Sequence, residues 1–153
     1  MARIGASLSA LNWAQIPASF LLLAFSSRLV GRPMPIVAMG GVALAALAAL
    51  VAMPGAWVVV WSGVIGFVTA FVLILTLALP ALLAEPSDVH RVSAAMFAIG
   101  YLCALVVPVF GGALWDLTGV AALAFLPAAA MAVGLVVAPS WLSLRRAGAS
   151  RPG

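Results

Sequence analysis

Arg91 and Asp116 enclose a stretch without a charged side chain, and Asp116 and Arg145 enclose another. Runs of this length constrain the chain more than any other feature. A bilayer hydrocarbon core about 30 Å thick is crossed by roughly 20 helical residues at about 1.5 Å each. Inside lipid every backbone amide and carbonyl must be paired within the segment, so such runs become helices. Composition extends the constraint to the whole chain: of 153 residues, 67% are hydrophobic and 7% are charged, with a mean hydropathy of +1.31. A soluble domain carries roughly 25% charged residues. This chain has too few to cover a water-facing surface, so its surface must face lipid. The expected fold class is an all-α polytopic membrane helix bundle, a single membrane domain over residues 1–153. The pI of about 11.3 does not point to nucleic acid. The net charge of +4 comes from seven arginines and three acids spread over loops and helix ends, and no basic face results.

The apolar runs predict five spans, at 8–27, 34–53, 56–79, 91–115 and 120–142. Pro54 and Gly55 separate the second from the third, and Pro80 lies near the end of the third, because proline cannot continue a helix and glycine tolerates the turn. The short connections make consecutive helices antiparallel. Alternating spans then place Arg28, Arg32, Arg91, Arg145, Arg146 and Arg151 on one side and only Arg3 on the other. Positively charged loops stay in the cytoplasm. The expected topology therefore has the N-terminus outside and the C-terminus inside, in a bacterial inner membrane. Trp57, Trp61, Trp115 and Trp141 fall at interfacial depths, where an indole sits best. The first run reads as a span rather than a cleaved leader: its leading segment has only Arg3, and Asn12, Gln15 and Pro17 interrupt its apolar core.

Few side chains offer chemistry. Ser62, Thr69 and Thr76 recur every seventh residue, which puts three hydroxyls on nearly one face of the third span. They either line a solute path or bond to backbone and neighbouring helices. Asn12 and Gln15 share a face of the first span, and an amide in hydrocarbon is costly without a partner. That face points to a solute or to an interhelical hydrogen bond. Tyr101 raises the same alternative in the fourth span. Gly40 with Gly41, Gly63 with Gly66, Gly100, and Gly111 with Gly112 are expected to let helices approach closely. At the outer end of the fourth span, "DLTG" reads as turn chemistry, with Asp116 reaching water, Thr118 bonding local backbone and Gly119 taking a positive φ. Ser87 is a candidate N-cap for the fourth helix, and His90 a solvated loop residue. Cys103 is the only cysteine and His90 the only histidine, so no disulfide, metal site or cofactor attachment is expected. No acid lies at mid-membrane depth, and nothing resembling an intramembrane protease centre is present.

Residues 96–119, "MFAIGYLCALVVPVFGGALWDLTG", resemble the eleventh helix and following turn of major facilitator superfamily transporters, closest to the cyanate permease-like branch. Gly100, Tyr101, Pro108, Gly112, Leu114, Asp116, Thr118 and Gly119 carry the likeness. Residues 14–33, "AQIPASFLLLAFSSRLVGRP", look like that family's eighth helix running into its cytoplasmic loop, with Arg28, Gly31 and Arg32 matching. Ser27 stands where the family has an acid, and one extra residue precedes Gly31. The resemblance implies helices eight to twelve of a twelve-helix fold, hence a partial major facilitator fold. It also implies the orientation that the arginines give, and a third span facing the central cavity.

The expected function follows: the chain is a portion of a secondary-active transporter for a small solute, such as cyanate or another small anion. The substrate-path candidates are Asn12, Gln15, Ser62, Thr69, Thr76 and Tyr101. The expected partners are the bilayer, the missing N-terminal transporter half and the solute; no nucleic acid, no cofactor and no enzymatic activity are expected. The alternative is a small non-transporting integral membrane protein or assembly partner.

Overall fold

The computed structural model describes residues 2–29 and 32–149, with the side chains at 26, 27, 83 and 140–149 outside the description. Gly31 and Arg151 therefore lie outside the described residues, as do the side chains of Ser27, Trp141, Arg145 and Arg146. The chain is all-helical there, and five segments are long and apolar enough to cross a membrane: Ala2–Phe25, Pro33–Ala52, Trp57–Leu82, Val89–Thr118 and Ala121–Pro139.

The prolines and glycines set the boundaries. The first span is two helices, α1 (Ala2–Trp13) and α2 (Gln15–Leu29). Pro17 has no amide hydrogen to offer the Trp13 carbonyl, and the helix breaks at Ala14, whose own amide still donates to Ala10 at 3.0 Å. The span begins at Ala2 rather than at residue 8. The second span, α3 (Pro33–Ala52), starts on two turn-compatible prolines, Pro33 and Pro35, and ends where the Met53 amide donates to Ala49 at 2.8 Å. Gly55 then turns the chain at φ 96°. The third span is α4 (Trp57–Leu77), followed after Ala78 by the short α5 (Leu79–Leu83), offset because Pro80 cannot donate to Thr76.

The fourth span, α6 (Val89–Thr118), has 30 residues and a length of about 45 Å. It extends past 91–115 at both ends and carries Pro108 without breaking. Asp88, not Ser87, occupies its N-cap position, with no side-chain cap bond. The fifth span opens as a tight 3-10 turn, Ala121–Phe125, and continues as α7 (Leu126–Ala149) beyond residue 142.

α4 is the central helix, packed by α1, α2 and α3, while α3 carries α7 on its other side. The main cluster is Ala18 and Leu22 of α2 against Ala70, Phe71 and Leu75 of α4, flanked by Leu29, Ile36, Met39 and Phe67. Phe67 and Phe71 stack with ring centroids 6.1 Å apart. Small residues set the approach distances. A methyl on Gly66 would overlap the Leu11 carbonyl, and one on Gly111 the Ala124 carbonyl. One on Gly40 would sit 2.8 Å from the Val136 Cγ2. Such backbone proximity is what small residues provide in membrane helices, where dispersion rather than water exclusion drives association. Gly41, Gly100 and Gly112 meet nothing within 4 Å, so only part of the expected glycine packing is realised.

Burial is uneven. In the most apolar window of the third span 33% of residues are buried, against 0% in the fourth. α6 packs mainly at its ends, on α5 at one and on the 3-10 turn and α7 at the other. Large side chains such as Leu23, Leu105, Val109 and Phe110 are exposed, as expected where the solvent is lipid.

Candidate functional site

Five of the six substrate-path candidates lie on the packed pair formed by the first and third spans. α1 crosses α4 where Gly63 faces Ala10 and Ala14 and Gly66 meets Leu11. Asn12 and Gln15 flank that crossing. The Asn12 amide nitrogen donates to the Leu8 carbonyl of its own helix at 2.8 Å, and the residue is exposed. Gln15 is half-buried, and its carbonyl accepts the Ser19 hydroxyl at 2.9 Å.

The three hydroxyls of the stripe lie in different environments. Ser62, 8% exposed, is buried in the N-terminal part of α4. Thr69 is exposed and donates to the Ile65 carbonyl at 2.8 Å. Thr76 is half-buried and donates within its own helix, with the carbonyls of Val72 and Leu73 both at 2.9 Å. Both threonine protons therefore satisfy backbone carbonyls. What these residues present outward is acceptor lone pairs, not free donors. The one such donor left buried without a partner among the described residues is the Trp61 indole nitrogen. Sequence reasoning placed Trp61 only as an interfacial anchor, and no pattern in the sequence signals that its nitrogen is enclosed.

Tyr101 stands apart from this group. It lies on α6, about 18 Å along the helix from Val89, 73% exposed and stacked on Phe97 at 6.4 Å. The fold does not bring it onto α4.

At the α2–α3 end, Arg28 closes α2 and Arg32 is the N-cap residue of α3. Both are exposed. Among the described residues the one ion pair is Arg91–Asp88, at 3.6 Å on an exposed surface. Among the described residues no carboxylate pairs with Arg28 or Arg32. His90 is exposed in the first turn of α6 rather than in the preceding loop.

At the opposite end the turn motif is built differently from the expectation. Asp116 lies inside the last turn of α6, not beyond it, because the helix ends only at Gly119. Gly119 takes φ 70° and its amide donates to Trp115 at 2.7 Å, a left-handed stop that glycine makes without strain. The Thr118 hydroxyl donates to Leu114 at 2.6 Å and accepts the Val120 amide at 3.2 Å. Thr118 and Gly119 thus form the turn. Asp116 contributes no bond to it and sits at the negative end of the helix, where a carboxylate is disfavoured.

A shallow apolar groove of about 380 Å³ runs along α2, lined by Ile16, Ser19, Phe20 and Leu23. The i, i+3, i+4, i+7 spacing of these residues is a sequence signal for a shared face. No group of three metal-ligating side chains occurs among the described residues, and Cys103 is a free, half-buried thiol.

Compared with known protein families, curated proteins and solved structures, the chain gives no match.

Proposed function

We propose that this chain is a portion of a secondary-active transporter of the major facilitator type, supplying helices eight to twelve, and that it moves a small solute only together with further transmembrane helices. The substrate class suggested by the resemblance of residues 96–119 is a small anion such as cyanate. The orientation that accompanies this reading, N-terminus outside and C-terminus inside a bacterial inner membrane, rests on the arginine distribution.

The observation that carries the proposal is the state of α6. It is the longest helix, yet its most apolar window is 0% buried. Its middle carries Tyr101, exposed, and Gly100, open to close approach. A tyrosine hydroxyl at mid-span has no water to bond. A neighbouring helix with a polar group would satisfy it, and the missing part of a larger bundle supplies such a helix. In the two-halved transporter fold the solute site lies between the halves near the midplane, so this chain's share would be Asn12 and Thr69.

A second reading, a non-transporting membrane protein or assembly partner, is favoured by one observation. Asn12, Thr69 and Thr76 each direct a donor to their own helices, which leaves the two threonines no hydroxyl proton for an anionic solute. Uptake of labelled cyanate, nitrite and formate into reconstituted vesicles separates the two. The proposal expects no accumulation above empty vesicles with the chain alone, and accumulation when the polypeptide that contacts α6 is co-reconstituted. Accumulation by the chain alone would refute the need for further helices. None in either preparation would refute transport of these anions and favour the second reading.

A further inference from the structure

Asn12 and Gln15 straddle the middle of the span Ala2–Phe25, and Thr69 lies at the middle of Trp57–Leu82. The two spans run parallel: Leu11 meets Gly66, and further along both, Ala18 and Leu22 meet Ala70 and Leu75. Counted from the Leu11–Gly66 contact, Gln15 lies about 6 Å on and Thr69 about 4.5 Å on, so the two share a level. At about 100° per residue, Gln15 turns off the face of Leu11, Ala14 and Ala18 in one sense. Thr69 turns off the face of Gly63, Gly66 and Ala70 in the other. On parallel helices opposite turns open on the same side, so both residues border one groove between the first span and α4. Asn12 precedes Gln15 by one turn on that flank. Hydrogen bonds fix what these side chains offer. The Thr69 proton is donated to Ile65, and an Asn12 amide proton to Leu8, so the Thr69 Oγ1 and the Asn12 Oδ1 are left to accept. The Gln15 side-chain amide is half-buried and makes no hydrogen bond among the described residues, a costly state in hydrocarbon.

We infer that this level binds one monovalent alkali cation, held by the Gln15 Oε1 and the Thr69 Oγ1, with the Asn12 Oδ1 at the rim. Hard cations take oxygen ligands. The three oxygens are neutral, and no acid lies at this depth to offset a second charge, so the site takes a single one. An anion finds no hydroxyl proton at Thr69 and no arginine, since all seven lie near helix ends or in connections. In the transport reading the cation is the coupling ion and offsets the charge of a small anionic solute. That role rests on the transport reading; the binding rests on the geometry alone.

The test is binding of radiolabelled sodium to the full chain purified in detergent, competed by sodium chloride or by choline chloride at equal ionic strength. The expected result is saturable binding of one sodium per chain, displaced by sodium chloride and not by choline chloride. Thr69→Val and Gln15→Leu should each weaken it at least about tenfold, as loss of a partner around a bound metal typically does. Thr69→Ser should keep it, which separates loss of the oxygen from loss of the fold. Ser93→Ala, on α6, should leave it unchanged. Absence of saturable binding by the unaltered chain, or equal displacement by choline, would overturn the site. So would undiminished binding in both Thr69→Val and Gln15→Leu, or a loss in Thr69→Ser equal to that in Thr69→Val. Uptake into vesicles is read separately. Anion accumulation by a preparation whose chain binds no sodium overturns the site and leaves the transport reading standing. Sodium binding without accumulation keeps the site and removes its coupling role.

Discussion

At the scale of single residues, the glycines sort into two kinds. Gly66 and Gly111 face a carbonyl of the neighbouring segment with no room for a methyl, whereas Gly41 and Gly112 face open space. Gly66→Ala should therefore destabilise the bundle by about 1–3 kcal/mol through overpacking. Gly41→Ala should be neutral or stabilising, because alanine is the better helix former by up to about 1 kcal/mol. Unfolding by sodium dodecyl sulfate titration in mixed micelles reads both. Equal effects of the two substitutions would contradict the packing described for α1 and α4. Gly119→Ala should cost about 1 kcal/mol by the same measurement, since a left-handed φ of 70° strains any residue with a Cβ. The exposed Arg91–Asp88 pair should contribute less than about 1 kcal/mol, so Asp88→Asn should leave the transition nearly unmoved.

At the scale of the elements, hydropathy made the middle of every span legible, because the cost of unpaired backbone in lipid leaves only a helix. The ends were less legible. α6 continues through Asp116 because a helix tolerates one acid in its last turn and stops only where Gly119 supplies the left-handed residue. The break at Ala14 follows from Pro17, three residues on, and local hydrophobicity gives no sign of where such a break falls. Pro17→Ala restores a donor for the Trp13 carbonyl. Amide exchange should then slow at residues 15–18, and unchanged exchange would place the cause of the break elsewhere. The shared face of Ser62, Thr69 and Thr76 was readable from their spacing. Their hydrogen-bond partners were not, since a hydroxyl that bonds its own helix has the same spacing as one that bonds a solute. Of Gly40 and Gly41, both candidates by type, the roughly 100° between adjacent helical residues lets only Gly40 meet α7. That choice depends on where α7 lies, which no local pattern records.

At the scale of the whole molecule, a well-packed centre, α4 with α1, α2 and α3, is joined to a long helix whose middle packs on little. The arginine asymmetry predicts which ends face the cytoplasm. In a Cys103→Ser background, Arg3→Cys should react with a membrane-impermeant maleimide in spheroplasts, and Arg32→Cys only after lysis. The reverse pattern would invert the proposed topology. The central claim is that α6 is covered by further transmembrane helices. It is tested most directly by a photoreactive residue at Tyr101 in native membranes, with Val133 of α7 as the lipid-facing control. The account predicts an adduct at Tyr101 that peptide mapping assigns to a transmembrane helix of a transporter polypeptide, and lipid adducts alone at Val133. Lipid adducts alone at both positions would contradict it.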